Sequence, residues 1–426
     1  MIRKIILYNE GIETLIFFSK QLGAAFEHMG YETFYFNQES EFDSLLKLME
    51  FIEPDVTASV GFNFNGCSGE DYLYDKNGVH LYDFRDVLTI NIVVDHPMYY
   101  HKFEPYLPER YVQLSIDGEH EDYLKRFFPE IKRGPECLLA GTSILKTGVT
   151  AAIHDMSGYI ISPDDEALKS GHIRSMDEES PYAKLNYDRH LPIVFTGNYN
   201  PPEKQDPVLA RNGPEYEQFY HDLIDDFIAH PDYELTSTIE RHLRDSFADE
   251  LTEDTLRDTF PYMIVIDLYI RHYFRGEVVR TLVDAGIPVH VYGAGWELLR
   301  VKNPDCLITH PNINSKECLE RISEADISLN VMPWFKRGAH DRVFNSMLNG
   351  AVCVTDPSDF LLKEFNDGED IFFYKLDELD NLPDIITRIQ NDKDQMEKIR
   401  RAAYKKCLAH HTWSHRAELI AREFFT

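Results

Sequence analysis

The feature that most constrains the fold of this chain is a regular alternation of short apolar runs with longer segments of helical spacing. In the first third, helical spacing appears at 15–29, which ends at Gly30, and again at 42–52. Apolar runs of strand length lie at 4–8, 31–37, 55–62, 87–94 and 111–116. Because strands that alternate with helices pair in parallel, this third predicts a Rossmann-like α/β domain.

A second alternation follows an irregular stretch at 141–189, which we interpret as a linker with an insertion. Strand-like runs then recur at 191–196, 289–292, 306–309, 327–331 and 352–355. Helices are expected over 215–273, 276–285, 341–348 and most of 393–425. The 426 residues therefore predict two Rossmann-like domains, 1–188 with its linker from about 141 and 189–412, facing a central cleft.

The net charge of the chain excludes some classes of binding partner. Asp and Glu total 73 against 43 Lys and Arg, a formal net charge of −30, which argues against binding to nucleic acid or to an anionic membrane. The first apolar run stops at Tyr8, and no run approaches the ~18–20 apolar residues of a membrane span. The six cysteines are scattered without a CxxC pair. We therefore expect a cytoplasmic protein with no membrane span.

The strongest local motif is the stretch 334–345, between an apolar strand and an apolar helix. Lys336, Arg337 and Arg342 fall within seven residues of an acidic chain, and Gly338 lies in the loop that opens the helix. Free backbone N–H groups at a helix start, together with guanidinium groups, favour a phosphate. A solvated surface loop is the alternative, but this position in the pattern favours phosphate binding.

A second motif follows the strand 289–292. Gly293 and Gly295 would let a ligand approach the backbone closely, although a plain tight turn explains them about as well. A dinucleotide fingerprint would need glycine at Leu298, which disfavours an NAD-linked oxidoreductase. The loop with Asn312 and Ile313 could read a base edge, or be an ordinary connection.

Polar residues in the first half offer further candidates. Asp95 and His96 follow a buried strand, where His96 could act as a base, bind a sugar hydroxyl or simply be structural. Asp117 and Glu119 follow the next strand. The Asn-rich turn 63–66 could place amides near a phosphate, but an ordinary polar loop is the better explanation. Histidines at 410, 411 and 415 have a spacing that suits a metal, but helix packing is the better explanation because no carboxylate or cysteine stands beside them.

Taken together, the second half resembles GT-B glycosyltransferases, especially the group-1-like proteins related to the spore-maturation protein CgeB. The resemblance rests on 292–297, 325–333, 342–351, Thr355-Asp356 and 411–416. It implies a nucleotide-sugar donor, with a UDP-sugar as the first expectation, on the second domain and a protein or glycan acceptor on the first. It also implies a final helix, 413–426, that packs back on the first domain.

The resemblance assigns roles to individual residues. It implies that Gly293, Gly295, Trp296, Asn312 and Ile313 lie by the nucleoside. Gly338, His340, Asp341 and Arg342 would hold the diphosphate, with Lys336 and Arg342 stabilising it as it leaves. Asn345 stands where the family usually has the glutamate that grips the ribose, so charge assistance is lost there. No bound metal and no cofactor are implied, because the nucleotide sugar is a substrate.

Several alternatives stay open at this point. His96 is expected on the sugar side, with Asp95 holding the loop or acting as base. An inverting enzyme needs a base from Asp95, His96, Asp117 or Glu119, whereas a retaining enzyme needs none. A non-catalytic GT-B subunit that binds a nucleotide within a glycosylation complex is the rival function, supported by Asn345. A homodimer is also compatible with the sequence.

Overall fold

The computed structural model of the protein describes residues 1–144, 189–247 and 251–426. The chain divides into two compact units, Met1–Ser175 with Leu408–Thr426, and Met176–Cys407. The insertion predicted at 141–189 falls outside the described residues except for 141–144 and Arg189.

The first unit is built on a five-stranded parallel sheet in the order β2-β1-β3-β4-β5. Every residue of the third, fourth and fifth strands is buried, as expected when helices cover both faces. The strands are Lys4–Tyr8 (β1), Glu32–Phe36 (β2), Thr57–Phe62 (β3), Leu88–Val93 (β4) and Tyr111–Ser115 (β5). All five were predicted from their apolar runs.

Within residues 1–144, four α-helices lie between and after these strands. The first ends as predicted at Gly30, whose N–H donates to Glu27 O at 2.9 Å. The helices are Glu13–His28 (α1), Glu41–Phe51 (α2), Leu81–Phe84 (α3) and Gly118–Phe127 (α4). The last of these was not predicted, because its first turn reads as a polar loop.

The second unit has a six-stranded parallel sheet in the order β11-β10-β9-β6-β7-β8. Its strands are Leu191–Thr196 (β6), Val289–Tyr292 (β7), Leu307–His310 (β8), Ala325–Leu329 (β9), Val352–Thr355 (β10) and Phe372–Phe373 (β11). The two parallel α/β sheets predicted from the sequence are therefore confirmed.

The helices of the second unit differ from the prediction at one important place. The helix predicted at 276–285 is the second half of a single helix, Ile264–Asp284 (α9). Gly276 lies inside it, where a Cβ would stand 2.9 Å from the Tyr199 ring. Gly276 therefore allows the helix to pack closely on Tyr199, and it does not mark the start of a helix.

The remaining helices of the second unit follow in chain order. They are Asp206–Leu209 (α5), Pro214–Ala229 (α6), Leu235–Phe247 (α7), Glu253–Thr259 (α8), Ser315–Ser323 (α10), Asp341–Leu348 (α11), Asp359–Glu364 (α12), Leu382–Asn391 (α13) and Lys393–His410 (α14), whose last turn belongs to the first unit.

The last helix, Trp413–Phe424 (α15), returns to the first unit and packs on α1. The Trp413 ring lies 5.2 Å from Phe18 and 6.1 Å from Phe62, measured between ring centroids. The Arg416 guanidinium donates to Leu138 O at 2.7 Å, which ties the helix to the segment after α4. Among the described helices, none combines the length and the apolar character that crossing a bilayer requires.

Removing the Trp413 ring tests whether α15 stabilises the first unit. Trp413→Ala should lower the free energy of unfolding by about 3–5 kcal/mol, because a 2 % exposed indole is replaced by a cavity. Urea unfolding followed by circular dichroism measures this change. Phe84→Ala, at a 74 % exposed ring of the same unit, should cost less than about 0.5 kcal/mol. Equal costs for the two variants would contradict the packing role.

Candidate active site

Arg342 occupies the carboxyl ends of two neighbouring strands in the second unit. Its Nη1 donates to Thr196 O at the end of β6 at 2.8 Å, and its Nη2 lies 3.5 Å from Val331 O, just beyond β9. The guanidinium also stands over the Phe195 ring, 5.4 Å from its centroid. The side chain predicted to hold a diphosphate is therefore 9 % exposed and in part structural.

Two further arginines, which the sequence analysis did not identify, approach Arg342 from α9. Arg271 makes a bidentate pair with Asp267, whose Oδ2 lies 2.7 Å from Nη2. Arg275 donates from Nη1 to Asn198 O at 3.0 Å. Arg271 and Arg275 are four residues apart, a spacing that places both on one face of a helix. The same spacing is typical of a face that is exposed to solvent, so it does not by itself indicate a binding site.

Burial and mutual repulsion define the electrostatics of these three arginines, which we call the arginine cluster. Burial, followed by the charges of Arg342 and Arg271, lowers the pKa of Arg275 well below its usual value. Burial also lowers the pKa of Arg342, against the attraction of Asp341. Arginine stays protonated in proteins, so these shifts express the cost of keeping the positive charges here.

The arginine cluster contains unused donors. The Nε atoms of Arg275 and Arg342 are both buried, and neither has a hydrogen-bond partner among the described residues. A buried donor without a partner costs free energy, and more so on a charged group. An anion that accepts from both groups would remove this cost.

His340 and Asp341 form the start of α11 as the motif predicted. His340 Nδ1 lies 2.7 Å from Asp341 Oδ1 and 3.2 Å from the Arg342 amide, so it donates to the first or accepts from the second. Burial would raise the pKa of Asp341, but His340 and Arg342 bring it below its ordinary value. Asn345 Nδ2 donates to Asp341 Oδ2 at 2.8 Å, which fixes the amide at the predicted ribose position.

The glycine motif packs against another loop. A Cβ on Gly293 would lie 2.4 Å from Gly197 O, and one on Gly295, at φ +89°, would lie 2.1 Å from Tyr199 O. The Trp296 indole is fully buried, stacks on Tyr199 and donates from Nε1 to Gly197 O at 2.8 Å. These three residues therefore position the loop after β6 through packing, and contact between their backbone and a nucleoside stays a prediction.

The basic loop residues are tied to the connection between α6 and α7. Lys336 Nζ donates to Pro231 O, and Arg337 Nε pairs with Glu234 at 2.8 Å. These side chains, with Asp356 and Ser358, line a cavity of about 420 Å³. Gly338 is held by its carbonyl oxygen, which accepts from Ser358 Oγ at 2.6 Å.

The predicted nucleoside loop follows β8 and lies beside a ring stack. Asn312 is exposed, whereas Ile313 packs partly buried against a core cluster that includes Tyr292. The Tyr292 ring stacks on His310, with centroids 4.1 Å apart. Contact between this loop and a base remains a prediction.

In the first unit, Asp95 and His96 carry out structural tasks at the end of β4. Asp95 Oδ2 accepts from Asn63 Nδ2 at 3.0 Å and from Tyr100 OH at 2.8 Å. His96 Nδ1 accepts from the Met98 amide at 3.2 Å. Burial, with His120 and His101, lowers the pKa of His96 well below its usual value, so its imidazole is neutral. The ring is 5 % exposed, and contact between His96 and a sugar stays a prediction.

Asp117 and Glu119, which were also predicted as possible bases, lie at the start of α4 and not in an open loop. Asp117 Oδ1 accepts from the Glu119 amide at 2.8 Å, the hydrogen bond of a helix cap, and both side chains are buried. His415 likewise serves the start of α15, since its Nδ1 lies 2.8 Å from Thr412 Oγ1. Within the part of the chain that the structure describes, no three His, Cys, Asp or Glu side chains converge as metal ligands.

Asp356 gives this site a pH dependence that can be measured. Burial raises its pKa from 3.8 to about 6, although Lys336 and the Met332 amide oppose the shift. The folded state therefore holds the proton more tightly than the unfolded state, and stability should fall as pH rises from about 4 to about 6. Two pKa units correspond to about 3 kcal/mol.

Asp356→Asn should remove this loss while keeping an acceptor for the Met332 amide, which lies 2.8 Å away. Urea unfolding from pH 4 to pH 8 compares the two proteins. The wild-type free energy of unfolding should decline relative to the variant across that window, and Asp305→Asn, at an exposed position, should follow the wild type. If the free energies of unfolding of the wild type and Asp356→Asn change in parallel with pH, Asp356 is not the source of the pH dependence.

Part of the chain, mainly in the second unit, is similar to a known protein family. Residues 272–422, which include the later part of α9 and the whole basic loop, match the sequence model of a family described as glycosyl transferase-like. No curated protein sequence matches the chain. The relation to CgeB proteins stays a prediction.

Solved structures of low sequence identity are also similar to the chain. Sucrose-phosphate synthase from Thermosynechococcus elongatus is 10% identical, with 99% of this chain and 98% of that chain covered and a TM-score of 0.49. Anabaena HepE in complex with UDP-glucose is 9% identical, with 98% of each chain covered and a TM-score of 0.47. WaaG, a glycosyltransferase of lipopolysaccharide biosynthesis, is 9% identical, with 99% and 100% covered and a TM-score of 0.45.

Proposed function

We propose that this protein is a glycosyltransferase that moves a sugar from a nucleoside diphosphate, a UDP-sugar in the first instance, to a protein or glycan acceptor. The observation that carries the proposal is the arginine cluster with its two buried, unpartnered Nε atoms. The family match over 272–422 supports the same class of reaction, because it includes Arg275 and Arg342.

The charges of the cluster suit a diphosphate. Arg271, Arg275 and Arg342 bring three positive charges, and the two acids beside them are Asp267 and Asp341. The three arginines and these two acids therefore have a net charge of +1, and Lys336 and Asp356 are not included in this sum. A diphosphate gains negative charge when the bond from the sugar C1 to its oxygen breaks, and fixed guanidinium donors stabilise that charge without reorganisation.

This proposal includes no metal ion, because the guanidinium donors would stabilise the charge of the leaving group. Arg342 would contact the diphosphate from the ends of β6 and β9, and Arg275 from α9. The proposed donor site lies on the second unit and the acceptor site on the first. His340 and Asp341 would orient Arg342 through the start of α11, and Asn345 would offer its amide to a ribose hydroxyl.

A second candidate is a subunit that binds a nucleotide without turning it over. Asn345 favours it, since an amide replaces the carboxylate expected at that position and is already bonded to Asp341. Release of UDP from UDP-glucose, UDP-galactose or UDP-N-acetylglucosamine by the purified chain separates the two functions. Nucleotide binding without such release would favour the subunit.

Arg275 offers the cleaner test of the donor site, because Arg342 also holds two backbone carbonyls. UDP at 100 times its Kd should stabilise the wild type by about 2.7 kcal/mol, with EDTA or with magnesium. Arg275→Met should weaken UDP binding about 10- to 100-fold, since a charge-assisted hydrogen bond contributes about 1.5–3 kcal/mol. Thermal unfolding against UDP concentration gives both affinities.

The matched control is Arg211→Met, at an exposed arginine of the same unit. It should bind UDP with the wild-type affinity. If Arg275→Met also does so, the diphosphate is not held by the arginine cluster. If neither UDP, GDP nor CDP stabilises the wild type, the proposal of a nucleotide-sugar donor fails.

A further inference from the structure

Helix α2 of the first unit has an apolar face that its packing on the core does not use. Ser44 and Leu48 are buried and form the side of the helix that faces the core. Away from that side, Phe42, Leu46 and Met49 are 72%, 48% and 43% exposed. Apolar side chains scattered singly over a surface are ordinary, so the arrangement of these three residues decides what they indicate.

The three exposed side chains form one line along the helix, which we call the α2 seam. Phe42, Leu46 and Met49 are spaced as i, i+4 and i+7. At about 100° and about 1.5 Å per residue, they fall within an arc of about 60° and span about 10 Å of the helix axis. This is the spacing with which one helix packs on another, where Phe42 and Met49 would be d positions of a heptad and Leu46 an a position.

Acidic residues lie along one edge of the α2 seam. Asp43 and Glu50 are exposed and seven residues apart, so both occupy e positions in the same register. Neither carboxylate forms an ion pair with any residue that the structure describes. Asp43 lies in the first turn, where the helix dipole favours a negative charge, but Glu50 lies in the last turn, where the dipole disfavours it. The stability of α2 therefore does not explain Glu50.

These charges determine what would cover the α2 seam. Two copies of α2 packed antiparallel would bring e positions together, so that carboxylates would repel each other. Two parallel copies would place Glu50 beside Leu45, a g position, without any attraction between charges. An anionic lipid surface would be repelled as well. A helix with basic residues at its facing positions would pair with both carboxylates, so charge complementarity favours a basic partner.

We propose that the α2 seam is a docking surface for a basic amphipathic helix of a partner protein. The apolar side chains of that helix would pack between Phe42, Leu46 and Met49 and remove their exposed area from water. Its lysine or arginine residues, seven positions apart, would face Asp43 and Glu50. The surface lies entirely within the first unit, and the inference does not depend on the proposed glycosyl transfer.

The test uses two synthetic peptides of about three heptads with leucine at a and d. One peptide carries lysine at e and g, and the other carries glutamate there. Fluorescence anisotropy of the labelled peptides with the full chain gives both Kd values. The lysine peptide should bind at least about tenfold more tightly, and salt raised from about 0.05 M to about 0.5 M should reduce this difference because it screens exposed charges.

Leu46→Gln tests the apolar part of the surface. It should weaken binding of the lysine peptide about tenfold or more, because Leu46 is in the middle of the α2 seam. Leu362→Gln is the matched control, at a 57% exposed leucine of α12, and should bind the peptide as the wild type does. Circular dichroism should show that both variants unfold at the wild-type temperature, since both side chains are largely exposed.

Glu50→Lys tests the acidic edge. It should weaken binding of the lysine peptide and strengthen binding of the glutamate peptide, because the charge opposite each peptide is reversed. A loss of structure would not produce two opposite changes. Glu418→Lys makes the same change at an exposed position on α15 and should leave both affinities unchanged.

Several outcomes would overturn a basic helical partner. The first is that the two peptides bind equally or not at all, and the second is that Leu46→Gln binds the lysine peptide as tightly as the wild type. Sedimentation that shows a wild-type dimer and a Leu46→Gln monomer, without peptide binding, would assign the α2 seam to a second copy of this chain. Binding to phosphatidylcholine vesicles that Leu46→Gln abolishes, again without peptide binding, would assign it to a lipid surface.

Discussion

The buried guanidinium of Arg342 joins the ends of two adjacent strands, and the geometry of the second unit around it depends on that contact. It holds Thr196 O at the end of β6 and Val331 O just beyond β9, where the loops after both strands leave the sheet. A buried charge needs compensation, which Asp341 supplies in part. The positive charges of Arg271 and Arg275 act against it. The arginine cluster therefore has an unfavourable excess of positive charge. Such an excess is typical of binding sites for anions.

Much of the architecture could be predicted because it follows from local pattern. The strands 191–196, 289–292 and 352–355 and the helix 341–348 have the predicted bounds, since each is a short apolar or periodic segment between clear breakers. The start of α9 could not be placed, because Gly276 looks like a boundary but packs on Tyr199. That contact joins residues far apart in sequence.

The site was harder to predict than the fold, and for a related reason. Arg271 and Arg275 look like an exposed helix face until α9 is placed beside the loop that follows β6. Trp296, Gly293 and Gly295 suggested close approach by a ligand, and the close approach is made by the loop after β6.

The division of the chain also determines the order in which the protein can fold. The first unit needs residues from both ends of the sequence, because Trp413 and Arg416 complete contacts that begin with Phe18 and Leu138. The second unit is one continuous segment. During synthesis, it can finish folding while α1 still exposes the surface that α15 will cover. A chain cut shortly before residue 413 would therefore leave the segment that emerged first from the ribosome incomplete, while the later segment could be whole.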